Sequence, residues 1–246
     1  IPVLTDFIAH AVCSTDGGAA GIDTADYASD AKRYAPADPK PISATGILDV
    51  VALPEDLELI FELEGWSNDR IAAELGIIQM LPASEWVIGR PHATAIMAAY
   101  CHPNSEGGRF NDGELGAWYA AFDLDTAVAE TSYHRAQELA EIGVFDATLQ
   151  MRQYLADFDA DFHDVRDDAP KTAPFYDPGS WAASQELGLR LRAAGSNGIA
   201  YRSVRKLGGE CVACYRPPLV INVRPAGHFE FSWSGSPTPT VKELAT

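Results

Sequence analysis

One α+β domain is what this sequence predicts, and three observations predict it. The 246-residue chain is 47% hydrophobic and 22% charged, the composition of a folded globule rather than of a disordered chain. Stretches with apolar residues at helical spacing are interspersed with short apolar or aromatic runs bounded by Gly, Asn and Asp, which read as strands. No internal repeat or linker divides the chain, and single cores stop growing only at about 250–300 residues.

Residues 1–32, which contain DGGAAGIDTADYASD, read as an irregular lead-in. Arg33-Tyr34 precedes a Pro-punctuated turn over 36–41 that argues against a helix there. Pro54 opens an amphipathic helix with Leu57, Ile60, Phe61 and Leu63 at helical spacing, and acids occupy its first turn. A second helical stretch covers 68–75 and a third 94–100, the latter ended by His102-Pro103. Gly107-Gly108 and Asn111-Asp112-Gly113 bracket Arg109-Phe110 in a turn-rich, strand-like segment. Residues 116–122, GAWYAAF, form a short buried strand. Asp125 is the expected N-cap of a helix over 126–142 that Gly143 closes. A strand over 148–158 follows, then an acidic loop. Ser180 is placed to cap a helix over 181–194, with Gly195 just past its end, and strands over 198–204, 210–215 and 228–233 finish the chain.

Charge narrows the function. The 18 Lys and Arg against 35 Asp and Glu leave a net charge of −17, which repels nucleic-acid phosphates and anionic membrane surfaces. The partner expected is a small molecule or a protein. No apolar run approaches the roughly 18 residues of a membrane span, and residues 1–10 lack the basic segment of a signal peptide. Four cysteines, Cys13, Cys101, Cys211 and Cys214, are too few for a disulfide scaffold, so a cytoplasmic location is expected.

The local motifs are weak. Cys211-Val-Ala-Cys214 lacks the second ligand pair of a zinc site, and in a strand residues three apart face opposite ways. Glu130 and His134, four apart on a helix, could share a metal only with a third ligand that the sequence does not indicate, so no metal is implied. No GxxxxGK[ST], GxSxG, HExxH or GxGxxG occurs. What remains is a spacing. Arg109 lies in GGRFNDG, Tyr119 ten residues on, Glu130 eleven further, and Ser184 in WAASQELG. Taken singly, each has an ordinary reading as a surface acid, a loop cation, a core tyrosine or a small helix residue.

Together they resemble the RES-domain family, toxins of bacterial toxin–antitoxin systems named for an Arg, a Glu and a Ser. The resemblance runs from about Arg33 to Trp233, through GGRFNDGELGAWYAAFDLDTAVAETSYHR, YDPGSWAASQELG and GSNGIAYRSVRKLGGECVACYRP. Asp38 departs from it, standing where related chains often carry a basic residue. The resemblance implies an ADP-ribosyltransferase-like domain over 33–246 with a small split mixed β-sheet flanked by helices. It implies NAD⁺ as substrate, cleaved between nicotinamide and ribose with phosphate or water as acceptor. Transfer of ADP-ribose to a protein is the alternative from the same pocket, and an inactive nucleotide- or partner-binding module is the non-enzyme one. A helix-turn-helix (Xre-like) antitoxin is the implied partner, and a homodimer is compatible with the sequence.

The residue types suit that chemistry. Losing nicotinamide builds oxocarbenium character on the ribose, which a nearby carboxylate stabilises, and Glu130 is the candidate. Nicotinamide departs neutral from a cationic ring, so a strong general acid is not required. Arg33 and Arg109 offer planar forks for pyrophosphate or phosphate. Tyr34 and Tyr119 can stack on or edge the nicotinamide. Ser184 is the candidate for bonding the ribose or orienting Glu130. Asn111, His134 and Arg135 flank the set.

Overall fold

The structure, a computed structural model, describes residues 80–101 and 103–244 together with strand backbones at 7–11, 13–14 and 31–36. The helices expected after Pro54 and over 68–75, and most of the Pro-rich turn, lie outside the described residues.

Among the described residues, ten strands make one mixed sheet: β1 (Phe7–Ala11), β2 (Cys13–Ser14), β3 (Ala31–Pro36), β4 (Trp118–Ala121), β5 (Asp146–Asp157), β6 (Ala160–Asp164), β7 (Gly198–Arg202), β8 (Glu210–Cys214), β9 (Ile221–Ser234) and β10 (Thr240–Leu244). Their order is β10-β9-β5-β1-β4-β8-β7-β6-β3-β2. β1 runs parallel to both β4 and β5, and β6 runs parallel to β7. The other pairings are antiparallel. Three α-helices among the described residues complete the fold: α1 (Ala93–Cys101), α2 (Leu124–Glu141) and α3 (Ala182–Ala193). The class is α+β, as expected, and the mixed sheet is larger than the small split sheet the resemblance implies.

Strand alternation sorts the core into two layers, because successive side chains point to opposite faces. One layer holds Ile96, Met97 and Tyr100 of α1 with Trp118, Ala120, Ala200, Val212 and Cys214. The other holds Ala127 and Leu139 of α2 and Leu187 and Leu191 of α3 with Ala121, Ile199, Tyr201 and Cys211. Cys211 and Cys214 therefore belong to different faces, and both are free and buried. α3 reaches the loop before β4 at Gly188, where an added Cβ would stand 2.0 Å from the Phe110 carbonyl oxygen. Only a glycine allows that approach.

Several boundaries differ from expectation for local reasons. The N-cap of α2 is Asp123, not Asp125. Its Oδ1 accepts from the Thr126 N–H at 2.8 Å while the Thr126 hydroxyl donates to Oδ2 at 2.7 Å. Asp125 lies inside the first turn, where its charge still favours the helix dipole. Ser180 likewise stands one residue outside the N-cap of α3, Trp181, and its Oγ accepts from the Ala182 N–H at 3.3 Å. The stretch read as an acidic loop contains β6, whose Asp161 is exposed while Phe162 is fully buried. Its aspartates mask a strand that the inner face requires. Phe7–Ala11, inside the segment read as an irregular lead-in, is the strand between β4 and β5. β10 is an edge strand of mostly exposed residues and carries little apolar signal. No helix among the described residues is long and apolar enough to cross a membrane.

Candidate functional site

A cavity of about 340 Å³ lies on the α2 side of the sheet, walled by the 107–111 loop, β4, α2, Trp181 and the turn after β7. Its size is within the range that small-molecule sites occupy.

Glu130 faces this cavity from the second turn of α2. Its Oε1 accepts from the Ser203 hydroxyl at 2.6 Å. Ser203 Oγ also accepts the backbone N–H groups of Arg205 at 3.0 Å and Lys206 at 2.9 Å. Both hydroxyl lone pairs are thus occupied, and the one proton must go to the carboxylate. The turn that presents Ser203 is closed by its own N–H to the Gly209 carbonyl at 2.8 Å, with Gly208 in the left-handed region. Sequence reasoning missed Ser203. The signal available was its place in YRSVRKLGG, a strand end running into a Gly-Gly turn.

Arg109 is 8% exposed, and one terminal nitrogen donates to the carbonyls of Phe175 at 2.9 Å and Asp177 at 3.1 Å. Burial, with Arg205 nearby, lowers its pKa, while Tyr201 and Glu130 oppose the shift. The loop carrying it is held from three sides. Tyr119 accepts the Phe110 N–H at 2.8 Å and donates to Asn111 Oδ1 at 2.7 Å. Tyr215 donates to the Phe110 carbonyl at 3.1 Å. Gln185 of α3 donates to the carbonyls of Glu106 at 2.8 Å and Gly108 at 3.1 Å. Burial pushes the Tyr119 phenol above its ordinary pKa, so it is a neutral donor.

Among the described residues the wall carries Arg109, Arg135 and Arg205 against Glu130 and Glu138. In a chain of net charge −17, this is a local concentration of guanidinium groups suited to an anionic ligand. Arg135 pairs with Glu138 at 2.7 Å. Arg205 lies over the Tyr133 ring at 3.3 Å from its centroid and donates to the Pro178 carbonyl at 3.1 Å. His134 stands one turn beyond Glu130. Enclosure of its ring, then Arg205, Arg135 and Arg109, lowers its pKa to about 4. The side chain still opens to solvent, and the imidazole is neutral at neutral pH.

The structure brings Arg109, Tyr119 and Glu130 together around one cavity, with His134, Arg135 and Asn111 beside them. Ser184 is fully buried, is absent from the cavity wall, and donates its hydroxyl to the Trp181 carbonyl at 3.0 Å. It secures the first turn of α3 rather than touching Glu130. Arg33 and Tyr34 lie on β3, opposite Asp161 and Ala160 of β6. Their side chains are outside the described residues. No group of three or more His, Cys, Asp or Glu among the described residues is placed to hold a metal.

No curated protein matches the chain. The family model of the RES domain matches residues 84–234, more than half of the chain and the segment that builds this cavity. The chain belongs to the RES-domain family, a family of NAD-related toxin domains.

Proposed function

We propose that this chain consumes NAD⁺ by breaking the bond between nicotinamide and ribose, with phosphate or water as acceptor, and that a cognate antitoxin holds it silent. The observation that carries the reading is the Glu130 carboxylate, oriented by Ser203 and facing a cavity that also holds the Arg109 guanidinium.

Glu130 Oε1 is engaged by Ser203, which leaves Oε2 to face the anomeric carbon as positive charge develops there. Arg109, Arg135 and Arg205 supply planar donors for the pyrophosphate or an incoming phosphate. Electron pairs balance without an acid: the glycosidic pair leaves with the nicotinamide nitrogen and cancels the ring's charge. The acceptor oxygen then bonds the ribose carbon and releases its proton to Glu130 or to solvent.

Chromatography of NAD⁺ and its products, with and without inorganic phosphate, tests the reading. Nicotinamide with a phosphate-dependent ADP-ribose phosphate peak makes the chain a phosphorylase. Free ADP-ribose alone makes it a hydrolase. Intact NAD⁺ in both buffers, without antitoxin present, overturns the proposal. Mass shifts on proteins of a cell lysate would instead assign transfer to a protein.

A further inference from the structure

Beside Glu130 runs a continuous aromatic wall of Tyr133, His134 and Trp181, none of which the mechanism above uses. Arg205 stacks on Tyr133, Tyr133 meets His134 edge-on at 5.5 Å, and His134 meets Trp181 at 5.8 Å with a 50° tilt. That tilt leaves neither ring covered by the other. Both His134 and Trp181 line the cavity. The Trp181 backbone is pinned, since its carbonyl accepts from the Ser184 hydroxyl at 3.0 Å and the Gln185 N–H at 2.7 Å.

We infer that His134 and Trp181 form the platform that reads the positive charge of the oxidised nicotinamide ring, making them specificity-determining residues for NAD⁺ over its uncharged reduced form. The inference rests on the reading of the cavity as an NAD⁺ site. Three observations lead to it. First, His134 follows Glu130 by four residues, about 6 Å along the helix, which is the offset expected between a carboxylate at the anomeric carbon and the ring attached to that carbon. Second, the wall already holds one planar cation on a π face, the Arg205 guanidinium at 3.3 Å from the Tyr133 centroid. Third, the backbone of Trp181 is held by Ser184 and Gln185, so the residue meets the cavity from a fixed position.

The test uses the full chain and two readouts. In kinetics, Trp181→Ala raises KM by roughly three- to thirtyfold for NAD⁺ and for nicotinamide mononucleotide alike, the loss of one cation–π contact. kcat does not fall, because a contact made with the charged ring and lost as nicotinamide leaves neutral favours the ground state over the transition state. Trp181→Phe restores most of the KM. A loss confined to NAD⁺ overturns the inference, since it puts the wall at the adenine end. So does a fall in kcat at constant KM, or failure of Phe to rescue. In binding, 1-methylnicotinamide, a permanent cation, quenches wild-type tryptophan fluorescence, and the quench is absent in Trp181→Phe. Neutral nicotinamide binds at least several-fold more weakly. Equal binding of the two overturns the inference. A chain that leaves NAD⁺ intact but shows the charge-selective quench would sink the proposed reaction and keep the platform.

Discussion

Ser203 Oγ lies 2.6 Å from Glu130 Oε1, a contact that joins the turn after β7 to the second turn of α2 across 73 residues of chain. Because Ser203 accepts two backbone N–H groups of its own turn, its proton has one destination. The serine is therefore a positioning residue. It fixes which carboxylate oxygen is engaged and which is left for substrate.

Ser203→Ala should lower kcat by about ten- to a hundredfold with little change in KM, the scale of a lost hydrogen bond to a charged group. Ser203→Thr retains the hydroxyl and should recover much of that loss. Steady-state kinetics on nicotinamide release separates the two variants. A Ser203→Ala enzyme with wild-type kcat would remove the positioning role.

Arg109 is buried, and one of its terminal nitrogens is held by two carbonyls of the segment after β6. Lysine cannot reproduce a planar fork. Arg109→Lys should raise KM for NAD⁺ at least tenfold and destabilise the fold by about 1–3 kcal/mol through the unpaired carbonyls. Kinetics and thermal melting check the two effects separately.

His134 gives a pH signature. Its pKa is lowered in the fold, to about 4, by enclosure and by Arg205, Arg135 and Arg109. Between the ordinary histidine value, about 6.5, and the folded one, the unfolded chain binds more protons at this position. Its contribution is therefore present above that ordinary value and is lost as pH falls toward 4. The melting temperature of His134→Gln should fall less than that of the wild type across this window. Identical pH–melting curves would contradict the shift.

Gly188 tests the packing that supports the site. An added Cβ would meet the Phe110 carbonyl oxygen at 2.0 Å and the Tyr215 hydroxyl at 2.9 Å, and the first of these is backbone. Gly188→Ala should cost about 1–3 kcal/mol or more as overpacking and should also lower activity, because Phe110 adjoins Arg109. Denaturant unfolding gives the first number and nicotinamide release the second.

How much was legible follows from the range of each signal. α1, α2 and α3 announced themselves through local spacing, and Gly143 and Gly195 marked two ends correctly, both at positive φ. Arg109, Tyr119 and Glu130 were legible as one set because GGRFNDGELGAWYAAFDLDTAVAE is nearly contiguous. Asp123 and Asp125 both fit an N-cap, and Thr126, bonding back to Asp123 through its backbone N–H and its hydroxyl, decides between them. Ser203 was not legible beside Ser184, since its partner is distant in sequence and proximity in the chain favours neither. β6 and β1 were hidden for a related reason. A strand inside a mixed sheet is defined by its neighbours, and β1 takes parallel partners from residues more than a hundred positions away.

The central claim is that Glu130 stabilises the charge that builds as nicotinamide leaves. Its most direct test is nicotinamide release from NAD⁺ by wild-type chain and by Glu130→Gln, which retains shape and an acceptor for Ser203 but no charge. The account predicts release by the wild type and a fall in kcat of at least about a hundredfold in the variant, the loss of a preorganised charge, with the melting temperature little changed. Equal release by the two proteins would contradict it.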